Sequence, residues 1–138
     1  MHSLIKEIKM SYYFSKIINL PYEKAIEKVT DELKKEGFGV LTEIDVKATL
    51  KKKLDVDFRK YKILGACNPS FAYEALKTER MIGTMLPCNV IVQEVEGGKT
   101  EVAAVDPMAS MQAIQNPKLS SIASEVQTKL KNVIESLK

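Results

Sequence analysis

The feature that most constrains the fold is a pair of strand patterns joined by two glycines. Segments 88–96 (CNVIVQEVE) and 99–106 (KTEVAAVD) are both rich in β-branched residues, and Gly97-Gly98 stand between them. Two glycines at this point favour a tight hairpin turn, because the turns that join antiparallel strands need positive φ angles. The chain is therefore predicted to contain an antiparallel strand pair.

Helical patterns alternate with further strand patterns along the rest of the chain. Apolar residues recur at three- and four-residue spacing in 21–36, 69–79 and 118–138, and a shorter helix is expected at 48–54. Strand patterns occupy 11–19, 38–46 and 61–67. Helices interleaved with a sheet that contains a hairpin predict a single α+β domain.

The strand pattern at 38–46 (FGVLTEIDV) also predicts which residues share a face. Its alternation places one set of residues on one face and a second set on the other: Val40, Thr42, Ile44 and Val46 against Leu41, Glu43 and Asp45. Further along, the dipeptide at 106–107 is expected to start another helix that runs through MASMQAI.

Length and composition are those of one soluble globular domain. The chain has 138 residues, of which 45% are hydrophobic and 28% are charged. A chain of this size buries about two-thirds of its unfolded surface, so it needs no disulfide in order to fold. We expect residues 1–9 to be an N-terminal extension and residues 10–138 to be the α+β domain.

Several partners and locations can be set aside on the same evidence. No apolar run reaches the ~20 residues that cross a bilayer, and the first ten residues, MHSLIKEIKM, lack the unbroken apolar region of a secretory signal. We therefore expect a cytoplasmic protein without a membrane partner. The net charge of +3 has one concentration, the basic stretch 47–62, which carries no nucleic-acid recognition motif. Nucleic acid is accordingly not an expected partner.

The two cysteines have similar surroundings in the sequence. Cys67 follows a strand pattern, Cys88 begins one, and each is followed by asparagine. A helix N-terminus lowers the pKa of a nearby thiol, and a helix is expected to begin at Pro69. Cys67 is therefore the better candidate for a catalytic nucleophile, with Cys88 as its helper. The alternative is that both are small buried residues at strand ends.

The sequence contains no recognisable catalytic constellation around these thiols. The one histidine, His2, lies in the N-terminal extension, so a Cys-His hydrolase is not expected. Two cysteines without a CxxC pair do not make a tetrahedral zinc site. No phosphate-binding glycine loop is present. The pattern favours a protein that is not an enzyme, and it indicates no metal and no particular cofactor.

Two aspartates stand where strands end. Asp45 and Asp106 could converge as paired carboxylates at one edge of a sheet, or each could cap the helix that follows it. Because aspartate is among the most frequent N-cap residues, we favour capping.

Four segments together carry a resemblance to a known family. They are GFGVLTEIDV at 37–46, ILGACNP at 63–69, LPCNV at 86–90 and VDP at 105–107. In this order they resemble the domain-of-unknown-function family 302, and the likeness extends from about Tyr12 to Met111. The resemblance implies an antiparallel sheet that carries helices, an architecture similar to TATA-box-binding-protein-like folds, and a homodimer. It implies no activity. The positions that match the shared motifs are Asp45, Cys67, Asn68, Pro69, Cys88, Asn89 and Asp106.

Three functions are compatible with these observations. The first is a homodimeric binding or accessory module that holds a small molecule near the Cys67-Asn68-Pro69 and Cys88-Asn89 segments. The second is a thiol-based redox or sulfur-carrier protein that uses Cys67 with Cys88. The third is a structural dimerisation domain in which the apolar stripe of the C-terminal helix forms the dimer.

Overall fold

Five antiparallel strands form one sheet in the order β1-β5-β4-β3-β2. The computed structural model describes residues 11–138, so the predicted N-terminal extension and His2 lie outside the described residues. The strands are β1 Tyr13–Ile18, β2 Gly39–Asp45, β3 Tyr61–Cys67, β4 Cys88–Glu94 and β5 Thr100–Val105. The helices are α1 Tyr22–Lys35, α2 Val46–Leu54, α3 Pro69–Thr78, α4 Pro107–Ser110 and α5 Pro117–Glu135. Short 3-10 helices occupy Arg80–Met85 and Glu96–Gly98.

The hairpin predicted from the glycine pair is confirmed. β4 and β5 pair antiparallel, with Val90 opposite Ala104 and Val92 opposite Val102. Gly97 and Gly98 have φ angles of 75° and 72°, a backbone region that residues other than glycine rarely adopt. The single α+β domain predicted from the alternating patterns is likewise confirmed.

Helices α1 and α5 cover one face of the sheet and form the main core with it. Ala25, Val29 and Leu33 of α1 are fully buried, as is Leu130 of α5. The apolar side of α5 is therefore buried within its own chain, which removes the observation that favoured this helix as a dimer contact. No helix among residues 11–138 is long and apolar enough to cross a membrane.

The predicted alternation along β2 is wrong at its centre. Val40 lies opposite Ala66, whereas Thr42 lies opposite Gly65, and the register shifts between them. Because Ala66 and Gly65 are neighbours on β3, Val40 and Thr42 face opposite sides of the sheet. The extra residue, Leu41, forms a β-bulge, which inserts one residue into one strand and inverts the faces beyond it.

The other face of the sheet, here called the open face, is accessible to solvent. Ile63, Ile91 and Ala103 lie side by side across its centre on β3, β4 and β5. Exposed apolar side chains surround them, and Ile17 is 56% exposed. The likeness of this architecture to TATA-box-binding-protein-like folds stays a prediction.

Candidate functional site

An apolar cavity lies between the main core and a smaller hydrophobic cluster. The smaller cluster contains Ala75 of α3, Ile82, and Leu119 near the start of α5. The gap between the two clusters is a cavity of about 260 Å³. Its walls are formed by Phe38, Leu41, Ala66, Cys67, Asn68, Phe71, Ala72, Ala75, Leu76, Leu86, Pro87, Cys88, Pro107, Met111, Leu119, Ile122, Ala123 and Val126.

Small side chains create the space and larger ones enclose it. The walls include four alanines, contributed by β3, α3 and α5, where larger residues would fill the volume. Phe38 and Phe71 line the wall on the side of the main core. Leu41, from the β-bulge, and Leu76 of α3 are among the lining side chains and are also exposed to solvent. The cavity is therefore accessible from outside past an apolar rim.

Both cysteines line this cavity. Cys88 lies at the start of β4 opposite Ala66, and Cys67 is the next residue of β3. Burial, with a smaller contribution from the nearby Cys67, raises the pKa of the Cys88 thiol to about 11. At pH 7 only about one Cys88 in ten thousand would be a thiolate. Cys88 therefore behaves as a small apolar wall residue. Cys67, the last residue of β3, is half-buried and lies two residues before the start of α3.

Asn68 lies at the edge of the cavity and holds two helices together. It precedes α3, and its side-chain Nδ2 donates a hydrogen bond to the carbonyl of Glu36 at 3.2 Å, just beyond the end of α1. Its side chain also lies next to Gly37, whose φ of 89° ends α1. Pro69, the first residue of α3, is exposed and does not line the cavity.

The two aspartates cap helices at opposite ends of the sheet. Asp45 Oδ1 accepts a hydrogen bond from the backbone N–H of Ala48 in α2 at 2.9 Å. Asp106 Oδ1 accepts one from Met108 in α4 at 3.0 Å, and the same carboxylate accepts two from the Gln127 amide of α5. A shared carboxylate site is therefore absent, and the capping interpretation is the one that the structure supports.

The motif residues thus separate into two groups. Cys67, Cys88 and Asn68 meet at the cavity, whereas Asp45, Pro69 and Asp106 do not line it. Asn89 also lies elsewhere, since it is exposed on the open face opposite Gly65. Within residues 11–138, no three His, Cys, Asp or Glu side chains are grouped so that they could hold a metal ion.

Most of the cavity wall was not identified from the sequence. Phe71, Ala72 and Leu76 belong to the apolar side of the predicted helix 69–79, and that pattern alone gave no reason to distinguish a cavity wall from ordinary core. Leu119 and Val126 were predicted on the buried side of α5, again without a sign that they border a space. The useful signal was indirect: the two cysteine segments marked the sheet end at which the cavity forms.

The fold and site together define a class of protein: a one-domain α+β chain with a helix-covered sheet and an apolar cavity at one end of it. The family model described as "Domain of unknown function DUF302" matches residues 14–137, and the chain belongs to this family. It is similar to the uncharacterized conserved protein DUF302 from Bacillus stearothermophilus, whose crystal structure superposes with a TM-score of 0.86. The two are 28% identical, and the match covers 94% of this chain and 100% of the other. The chain matches none of the curated proteins.

Proposed function

We propose that the protein is a binding module that holds a small apolar molecule in the cavity beside Cys67 and Cys88. The observation that carries this proposal is the cavity itself, which is lined by apolar side chains and accessible from solvent. Ligand sites in proteins are mostly apolar concavities with few polar groups. Here the polar groups are the Asn68 amide and the two thiols.

The volume indicates the size of the ligand. An apolar cavity of about 150 Å³ holds one benzene molecule. By this comparison a cavity of about 260 Å³ holds on the order of ten non-hydrogen atoms. A molecule of this size would make the van der Waals contacts that the side chains of the cavity wall otherwise lack.

Binding of 1-octanol, which has about that number of atoms, tests the proposal. We expect one-to-one saturable binding in calorimetry, and amide shifts in NMR that cluster around Phe71 and Cys67. The substitution Ala72→Leu places a larger side chain in the cavity and should weaken binding about tenfold or more. Ala123→Leu, from the α5 wall, should do the same.

Ala48→Leu provides the matched control, because Ala48 is exposed on α2 and does not line the cavity. This variant should bind 1-octanol as the wild type does. Absence of saturable binding to the wild type, or equal binding by the filled and control variants, would contradict a ligand site in this cavity.

Thiol chemistry at Cys67 is the second candidate function. The observation that favours it is the position of Cys67, half-buried in the cavity wall and directly before the N-cap residue of α3. Helix N-termini stabilise thiolates. Cys88 is a poor nucleophile because burial raises its pKa, so a carrier or redox role rests on Cys67.

Alkylation by iodoacetamide at pH 8, followed by mass spectrometry, tests the thiol function. We expect Cys88 to react about a hundredfold more slowly than Cys67, since a pKa of about 11 leaves few thiolates and the side chain is 8% exposed. The Cys67→Ser variant should retain only the slow reaction. For the thiol function, Cys67 must also react faster than glutathione under the same conditions; an equal or lower rate would argue against it.

We also propose that the protein works as a homodimer formed through the open face. Five strands about 4.8 Å apart, each about six residues long, give this face a flat area on the order of 480 Å². This area does not include the additional surface of the side chains. This area is more than half of the roughly 800 Å² that each partner contributes to a standard interface.

The charges near this face suit a second copy of the same chain. Arg59 Nε donates a hydrogen bond to Gln93 Oε1 at 2.8 Å, and Gln93 Nε2 donates one to Glu101 Oε1 at 3.0 Å. The positive and the negative group are thus already connected within one chain. Two such faces could pack together while Arg59 and Glu101 each keep a hydrogen bond to Gln93.

A further inference from the structure

A second concavity adjoins the apolar cavity between α4 and α5. It has a volume of about 230 Å³ and is lined by Met108, Met111, Gln112, Ile114, Leu119, Ser120 and Ala123. Met111, Leu119 and Ala123 line both spaces. These three residues are therefore a common wall between the cavity and the second concavity.

Met111 is the adaptable part of this common wall. Leu119 and Ala123 are buried in the regular helix α5. Met111 follows α4 and is half-buried, and its backbone is held by hydrogen bonds to Pro107 and from Ile114, each 3.0 Å long. Its unbranched side chain has three rotatable bonds, which suit it to yield to a neighbouring group. Of the three residues in the common wall, Met111 is therefore the one whose side chain can move most easily.

Among residues 11–138, neither space presents a charged side chain to a ligand. The cavity wall contains no Asp, Glu, Lys or Arg, and the polar side chains of the second concavity are the Gln112 amide and the Ser120 hydroxyl. An ion placed among apolar side chains without a partner is strongly disfavoured. An amide or hydroxyl end group, in contrast, can hydrogen-bond to the side-chain amide of Asn68 in the wall of the cavity.

We propose that the ligand is an uncharged hydrocarbon chain with a hydroxyl or amide end, and that Met111 sets the longest chain the site accepts. This inference rests on the proposed function, since it concerns the same cavity. The hydrocarbon part fills the apolar cavity. Longer chains require the Met111 side chain to move or to be shortened before they can enter the second concavity.

A series of primary alcohols from 1-butanol to 1-decanol tests the length limit by calorimetry. Each added methylene should raise affinity about fourfold while it is buried. For the wild type we expect this increase to stop near about nine carbons, when the cavity is full. Met111→Ala should allow the increase to continue for about two further methylenes, and Met111→Phe should end it earlier. Met85→Ala, at an exposed methionine outside both linings, should leave the wild-type limit unchanged.

The charge requirement is tested with octanoate at pH 7.5, which should bind about tenfold or more weakly than 1-octanol. If alcohols bind but the limit does not respond to Met111, or if octanoate binds as tightly as octanol, this inference is wrong and the ligand-binding function stands. If no alcohol binds to any variant, both the inference and the proposed function are wrong.

Discussion

Replacing Gly65 with alanine should lower the free energy of unfolding by about 3 kcal/mol, the upper end of what overpacking normally costs. A Cβ atom at this position would overlap Thr42 Oγ1 and lie 2.8 Å from Pro87 Cγ. Branching at Cβ restricts the Thr42 side chain and the ring fixes that of Pro87, so neither moves aside without a cost in free energy. β3 is therefore packed against residues on both sides with no room for a methyl group.

Thermal unfolding followed by circular dichroism measures this effect. At about 4 °C per kcal/mol for a chain of this length, Gly65→Ala should lower Tm by about 12 °C. Gly39→Ala is the control, because a Cβ atom there meets nothing within 4 Å. Adding Thr42→Ala to Gly65→Ala should restore part of the loss. A Gly65→Ala protein as stable as the wild type would show that the strands can separate at this point.

The second large effect concerns the proposed dimer. Ile91→Asp should raise the dimer dissociation constant about a hundredfold or more, because it places a carboxylate at the centre of the open face, where a second copy would remove it from water. In a single chain Ile91 is only half-buried, so the fold should tolerate the change. Sedimentation velocity over a range of protein concentrations measures the association.

Two further variants make the dimer experiment decisive. Ile17→Asp changes an exposed residue of the same face and should also weaken association. Leu76→Asp changes an exposed apolar residue on α3, at the cavity, and should leave the dimer intact. A wild type that sediments as a monomer at 100 µM, or an Ile91→Asp dimer of unchanged stability, would refute the open face as the interface.

Sequence patterns that span only a few residues were sufficient to predict most helices and strands of this fold. The glycine pair at 97–98 predicted the β4–β5 hairpin, and the spacing of apolar residues predicted α1 and α5, whose buried sides are those observed. Strand β3 has the predicted bounds, 61–67. Each of these signals depends on residues within a few positions of one another, so the sequence pattern contains them directly.

Features that depend on distant residues were not predicted. The bulge at Leu41 depends on how β2 pairs with β3, and the helix expected from 107 ends at Ser110, before the turn that leads into α5. The cavity is the clearest case. Ala66, Ala75 and Leu119 border it from three elements far apart in the chain, and the space lies between two hydrophobic clusters that Ile122 connects.

The two family motifs that contain cysteine lie at the cavity end of the sheet, but the motifs as a set do not distinguish cavity residues from residues that support the fold. Cys67 and Asn68 do lie at the cavity, but Asp45 and Asp106 belong to the same motifs because they start helices. A motif selects residues that the fold needs as well as residues that a ligand touches, and sequence spacing alone does not separate the two.

The bulge in β2 also disfavours the addition of strands from other chains to this edge of the sheet. β2 is an outer strand, and an outer strand with a regular row of free backbone groups is a template for pairing with other chains. The extra residue at Leu41 interrupts that row, and Glu43, beyond it, adds a charge along the same edge. Strand-to-strand aggregation along β2 is thereby disfavoured, which leaves the broad side of the sheet available for self-association of limited size.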